Sequence, residues 1–252
     1  MMFKTFGLGF AALFLITATA EAALAAEVPV AVAANFTEPA KAIAAAFKTA
    51  TGDDAVLSFG ASGQFYAQIS HGAPYQVFLS ADVDRAKLAE TEGYGVPGTR
   101  FVYAAGQLVL FSKTPGLVDD QGAVLRHPAR FQKVAIADPG AAPYGAAAIQ
   151  TLTKLGLYDA LKPKLVQGAS ITQAYQFVET GAAEIGFVAL SQIIKEPGGS
   201  RWIVPESLHA PIDQGAILLV TGDKNPAARA FLAFLKGPQA QAIIRRYGYQ
   251  VH

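Results

Sequence analysis

Four short segments offer what is needed to hold an anion without a charge of their own. They are Ala33-Ala34-Asn35-Phe36-Thr37, Gly60-Ala61-Ser62-Gly63-Gln64, Ala142-Pro143-Tyr144-Gly145 and Gly168-Ala169-Ser170-Ile171-Thr172. Each follows an apolar, strand-like run, directly or after a few residues. Each precedes a helical pattern that stops at a glycine: Gly52, Gly72, Gly156 and Gly181. The start of a helix exposes N–H groups with no intrahelical acceptor, together with the positive end of the helix dipole, and so attracts anions. Several such ends converging on one cleft form a neutral cage of donors for a small oxyanion.

Within these segments the side chains keep two readings open. Asn35 precedes Thr37-Glu38-Pro39 and presents a side-chain amide and a backbone N–H to a ligand; alternatively, Asn35 or Thr37 caps the helix, with Pro39 in its first turn. Ser62 is either an N-cap hydroxyl or an oxyanion donor, and the adjacent Gly63 lets backbone approach a ligand closely. The Tyr144 phenol either donates to an anion or rests at the surface between lobes, with Pro143 fixing the entry to its turn. In the fourth segment the useful group is the backbone N–H of Ile171, for which the side chain hardly matters.

The lack of charge narrows the ligand. A binder of amino acids needs a base for the carboxylate and an acid for the ammonium. None of the four segments contains a basic residue, and the nearest acid is Glu38. A fully deprotonated dianion needs only donors, and hydrogen bonds to a charged group contribute roughly 1.5–3 kcal/mol each. About half a dozen reach the ~8 kcal/mol of a micromolar complex after association costs. A protonated anion such as hydrogen phosphate also needs an acceptor carboxylate, for which only Glu38 is near. Tetrahedral divalent oxyanions are therefore favoured, with sulfate or thiosulfate as the alternative class.

Other classes fit poorly. The chain has 252 residues, 52% hydrophobic and 15% charged, with a net charge of +1, which describes a packed globular protein without the basic face that nucleic acid or acidic membrane demands. It has no cysteine, so disulfides, thiolate zinc sites and cysteine nucleophiles are excluded. A secreted hydrolase is the enzyme alternative. Yet His71, His127, His209 and His252 are scattered without metal-ligand spacing, and Ser62 lacks the flanking pattern of a nucleophile elbow. Asp82 and Asp84 read as a helix start.

These loops need a scaffold, and the chain shows one. Lys4, the apolar run Phe6 to Ile16 and Ala23-Leu24-Ala25 have the order of a secretory signal, so residues 1–25 are expected to be removed on export to the periplasm. After it, strands at 28–34, 55–59, 77–81, 134–137, 164–166 and 185–190 alternate with helices at 39–50, 64–70, 82–92, 146–155 and 172–180. That alternation implies parallel sheets covered on both faces, with strand-to-helix loops at their carboxyl edges. Two apolar runs, Phe101 to Ser112 and Gln214 to Val220, break the rhythm as a pair of strands crossing between lobes would. Lobe one then holds 26–104 and 213–252, and lobe two holds 105–212. Closure is expected to hinge near 103–106 and 211–215. The Thr114 to Gln121 segment and the Pro-Gly-Gly turn at 197–199 read as surface loops, and Pro226 to Arg246 as a helix broken at Gly237-Pro238.

Longer stretches resemble a known family. Ala33-Ala34-Asn35-Phe36, Ser58-Phe59-Gly60-Ala61-Ser62-Gly63, His71-Gly72-Ala73-Pro74 with Val77-Phe78-Leu79-Ser80-Ala81-Asp82, and Gly186-Phe187-Val188-Ala189 are similar to periplasmic molybdate-binding proteins of ABC importers. So are Leu235-Lys236-Gly237-Pro238-Gln239-Ala240 and Arg246-Tyr247-Gly248. The resemblance covers nearly all of the chain after residue 25. It implies the two-lobed type II periplasmic binding fold, a monomer that takes molybdate or tungstate between its lobes and hands it to a membrane permease, and no cofactor. It also implies ligand contacts at Asn35, Ser62, Tyr144 and the amide of Ile171. Better-known members carry serine at the place of Asn35 and a ligating tyrosine at the place of Ala189. Here the tyrosine stands at 144 instead, which keeps the number of donors.

Overall fold

Two five-stranded sheets are built on one plan. The computed structural model describes residues 25–251, so the expected signal segment, apart from Ala25, and His252 lie outside the described residues. In the first sheet the strands are β1 (Glu27–Ala33), β2 (Asp54–Gly60), β3 (Val77–Ser80), β4 (Phe101–Gly106) and β10 (Ile212–Leu218), in the order β2-β1-β3-β10-β4. In the second they are β5 (Leu108–Ser112), β6 (Val134–Ala137), β7 (Leu165–Gly168), β8 (Ile185–Ala189) and β9 (Ser200–Ile203), in the order β7-β6-β8-β5-β9. Each sheet has three parallel strands followed by a strand antiparallel to its neighbours, β10 in one and β5 in the other.

Helices cover these sheets: α1 (Thr37–Thr51), α2 (Ser62–Ser70), α3 (Val83–Thr91), α4 (Pro143–Lys154), α5 (Tyr158–Leu161), α6 (Ile171–Glu179), α7 (Leu190–Ile193), α8 (Pro226–Lys236) and α9 (Pro238–Arg246). The period-2 alternation of β1 explains the layering of the first lobe. Val28, Val30 and Val32 face a core with Phe36, Ile43, Phe47 and Phe231, whereas Ala31 faces Phe65, Phe78 and Ile217 on the other side. Burying each large apolar side chain contributes roughly 1.5–3 kcal/mol. The glycine stops hold as well: Gly52 caps α1 at φ 86°, and Gly72, Gly156 and Gly181 also take positive φ.

Several expectations need correction. The run Phe101 to Ser112 is two strands, interrupted at Gln107, where the chain passes from the first sheet to the second. The other run does not cross: β10 lies wholly in the first sheet, and the return passes through 204–211. Pro205 and Pro211 lie in that stretch and cannot donate to a ladder. Helix α4 begins at Pro143, not at 146, because a proline is well suited to a first helical position. Strand β9 follows the Pro-Gly-Gly turn unannounced, carrying Trp202 into the second core. Val118, within the expected surface loop 114–121, is buried. Among the described residues no helix is long and apolar enough to cross a membrane.

Candidate functional site

The carboxyl ends of the parallel strands face one another across the gap between the sheets, and the four loops named from sequence meet there. Asn35, Ser62, Tyr144 and Ile171 all line one small enclosure, with Ala33, Ala34, Gly60, Ala61, Ala81, Ala142 and Pro143 completing its wall. No charged side chain lines it. Its free space, about 10 Å³, leaves no room for a sugar or an amino acid.

Asn35 lies in a short 3₁₀ turn, Ala34–Phe36, between β1 and α1, and is buried. Its side chain is fully occupied as a donor: Nδ2 donates to Gln214 Oε1 at 2.7 Å and to the Tyr249 hydroxyl at 2.9 Å. The amide orientations follow from the network, since Gln214 Nε2 donates to the Ile212 and Ala81 carbonyls and so must present Oε1 to Asn35. Tyr249 and Ser191 in turn donate to the Asn35 carbonyl, at 2.8 and 2.7 Å. The expectation that the Asn35 side-chain amide donates to a ligand thus meets a competing claim on both of its N–H groups, which hold the protein together.

Ser62 opens α2, with Ala61 as the N-cap residue. Its Oγ accepts the Ala81 N–H at 2.8 Å, which leaves the hydroxyl proton free to point elsewhere. The next N–H along, that of Gly63, donates across the gap to the Ala141 carbonyl at 2.9 Å.

Tyr144 stands in the first turn of α4, fully buried, and its hydroxyl has no hydrogen-bond partner. Burial pushes its pKa well above the usual tyrosine value, so it stays a protonated donor. The ring tip lies against Gly106, the last residue of β4; a methyl group there would overlap the hydroxyl. Ile171 is the first residue of α6. Its N–H has no intrahelical acceptor, and the N-cap Ser170 hydroxyl accepts from Gln173, two positions further on.

Sequence reasoning missed Gln214, Tyr249, Ser191 and Gly106. Gln214 had a signal, a polar residue opening an apolar run, and a bulge at Gln214/Gly215 is what turns it inward. Ser191 also had one, because Ile185–Ala189 followed by a helix start repeats the pattern of the other loops. Tyr249 and Gly106 had none. Ala189 is buried at the end of β8 and offers no side-chain donor. Among the described residues no group of three His, Cys, Asp or Glu side chains is placed to hold a metal ion.

Comparison with known proteins agrees with this geometry. The sequence profile described as bacterial extracellular solute-binding protein matches residues 28–250. The chain is 56% identical over 246 residues to the molybdate-binding protein ModA of Rhodobacter capsulatus, covering 98% of this chain and 97% of that one. It is 57% identical over 231 residues to the molybdate-binding protein ModA of Azotobacter vinelandii, covering 90% and 91%. Among solved structures, the periplasmic molybdate-binding protein of Azotobacter vinelandii superposes with a TM-score of 0.86 at 42% identity, covering 89% of this chain and 99% of that one. A profile match across nearly the whole described chain, with relatives more than half identical over nine-tenths of its length, shows that the chain belongs to the bacterial extracellular solute-binding proteins, in the branch of the molybdate-binding proteins.

Proposed function

We propose that this protein captures molybdate, and tungstate with it, between its lobes and delivers it to the permease of an ABC importer. The observation that carries the reading is the enclosure itself: four donor-bearing loops around a small space, with no charged side chain in its wall. The donors are the Ser62 and Tyr144 hydroxyls and the backbone N–H groups of the Asn35 turn, Ser62, Tyr144 and Ile171. A dianion that accepts every hydrogen bond needs no basic residue, and several charge-assisted bonds suffice for micromolar or tighter binding. The side chains lining the enclosure are apolar, amide or hydroxyl, and none is a base at neutral pH. We read the protein as a binder, not a catalyst.

The lobes of this proposal divide at Gln107 and at 204–211, a few residues from the expected bounds at 104/105 and 212/213, because β4 runs to Gly106 and β10 begins at Ile212. The adjacent passages at Gln107 and 204–211 serve as the hinge, with Ile212 paired to Gly106 beside them. Export to the periplasm is supported by the order of residues 1–25 and by the likeness to a periplasmic protein. We take the working form to be a monomer that meets its permease through the exposed rims of both lobes.

Isothermal titration of the anion-free protein with molybdate, tungstate and sulfate tests this. Tight one-to-one binding of the first two, with no heat from sulfate, is the expected result. Tight sulfate binding would keep the site and change the cargo. No heat from any of the three would reduce the loops to helix caps.

A further inference from the structure

We infer that Arg85 is a latch between the lobes that governs how fast a captured anion leaves; the inference rests on the anion-capture reading above. Next to the enclosure, and sharing Ala81 and Pro143 with it, runs an interlobe groove of about 220 Å³. Arg85, near the start of α3 in the first lobe, spans it. Its Nη2 donates to the Gly140 carbonyl of the second lobe at 2.7 Å, while Nη1 is paired with Asp82 Oδ2.

The fork is held ready from its own side. Asp82 is the N-cap of α3, its Oδ1 accepting the Arg85 N–H at 2.8 Å, and its other oxygen takes the guanidinium. Side-chain exposures of 23% for Arg85 and 19% for Asp82 place the pair where solvent screens it only in part. A planar guanidinium can serve two acceptors at once, which an ammonium on a flexible stem does less well. The receiving loop is equally stiff. Asp138 Oδ1 accepts the Gly140 N–H at 2.9 Å, and the Asp138 carbonyl accepts from Ala141 and Ala142. That loop runs directly into Pro143 and Tyr144, so a hold on Gly140 is a hold on the start of α4.

The chemistry of the acceptor makes the bond releasable. Gly140 contributes a neutral carbonyl, so separating the lobes strands no charge, and Arg85 keeps Asp82 in either state. A second bond in the same seam, from the Gly63 N–H to the Ala141 carbonyl, works only at close approach. A methyl group on Gly63 would lie 3.1 Å from Ala141 Cα and O and from Arg85 Nη2. Neither contact needs the anion, yet both form only when the lobes are together.

The test is the dissociation rate of molybdate from the full chain, measured by displacement, for wild type, Arg85→Gln, Arg85→Lys and Gly63→Ala. Arg85→Gln should release molybdate roughly 5- to 30-fold faster, the range of one partly screened charge-assisted bond, with an association rate within about twofold. Its ligand-free melting temperature should stay within ~2 °C of wild type. Arg85→Lys should fall between the two, and Gly63→Ala should also accelerate release. A dissociation rate unchanged in Arg85→Gln overturns the latch. So does faster release accompanied by a clear drop in the ligand-free melting temperature, which would make Arg85 a structural residue. If wild type binds no molybdate, it is the capture reading that fails. The latch is then judged by small-angle scattering of the ligand-free proteins: a larger radius of gyration in Arg85→Gln supports it, and coincident curves overturn it.

Discussion

The two lobes bring unlike things to the same enclosure. From the first come Asn35 and Ser62, both buried and both engaged by protein partners: Gln214 and Tyr249 on one, the Ala81 N–H on the other. From the second come Tyr144, with an unpartnered hydroxyl, and Ile171, whose N–H opens a helix. One wall is fixed by its own hydrogen bonds before any ligand is considered. The other carries donors whose needs the protein leaves unmet, and a buried donor without a partner costs roughly 1–3 kcal/mol. The difference teaches where affinity and stability should separate: substitutions in the first wall should move both, and those in the second should move affinity alone.

The largest effect should come from joining the two walls. Gly106→Ala places a methyl group on the Tyr144 hydroxyl, 3.2 Å from Gln214 Nε2. Overpacking of this kind costs about 1–3 kcal/mol. Molybdate affinity should fall further than in any single-donor variant, with a lowered melting temperature; a variant that melts and titrates like wild type would remove the contact from the account. Next, Ser62→Ala removes a donor and strands the Ala81 N–H. Affinity should drop ~10- to 100-fold and stability by ~1–3 kcal/mol, read by titration and by urea unfolding.

The pair Tyr144→Phe and Tyr249→Phe tests the contrast directly. Tyr144→Phe should weaken binding about tenfold while leaving the ligand-free protein as stable as before or slightly more so, because it removes an unpaired group. Tyr249→Phe should lower stability by ~1–2 kcal/mol through the lost bonds to Asn35 and Ser191, and should weaken binding as well because it loosens the Asn35 turn. Opposite signs would reverse the roles assigned to the two walls. The smallest effect concerns pH. Burial raises the pKa of Tyr249 to about 12 and those of Tyr144 and Tyr103 well above 10. Below the unfolded value of ~10 these groups are neutral in both states and stability is unaffected. Above it the unfolded chain loses protons first, so stability should decline from about pH 10 upward. Between pH 6 and 9 affinity should be flat; a marked slope there would put another titrating group at the site.

What could be read from the chain follows the range of the interactions involved. The four loops, the strand-helix rhythm and the glycine stops are local chemistry, written within a few residues of one another. The locking of Asn35 is not, since its partners Ser191, Gln214 and Tyr249 lie 156, 179 and 214 residues away. Nothing near Asn35 distinguishes an amide that faces a ligand from one that faces Tyr249. The break at Gln107 was hidden for a related reason. Gly106-Gln107 interrupts an otherwise apolar run, but only the choice of sheet on either side reveals that the chain changes sheets there. Strand β9 is four residues between a glycine turn and Pro205, too short to show a period.

The bonds between Tyr249 and Asn35 tie the penultimate part of the chain to the end of its first strand. The first wall can therefore be assembled only once β1, Gln214 and Tyr249 are in place together. A chain cut short of Gln214 and Tyr249 leaves the Asn35 amide unanchored, so competence to scavenge arrives in one step, when these distant segments meet, and not progressively as each lobe folds.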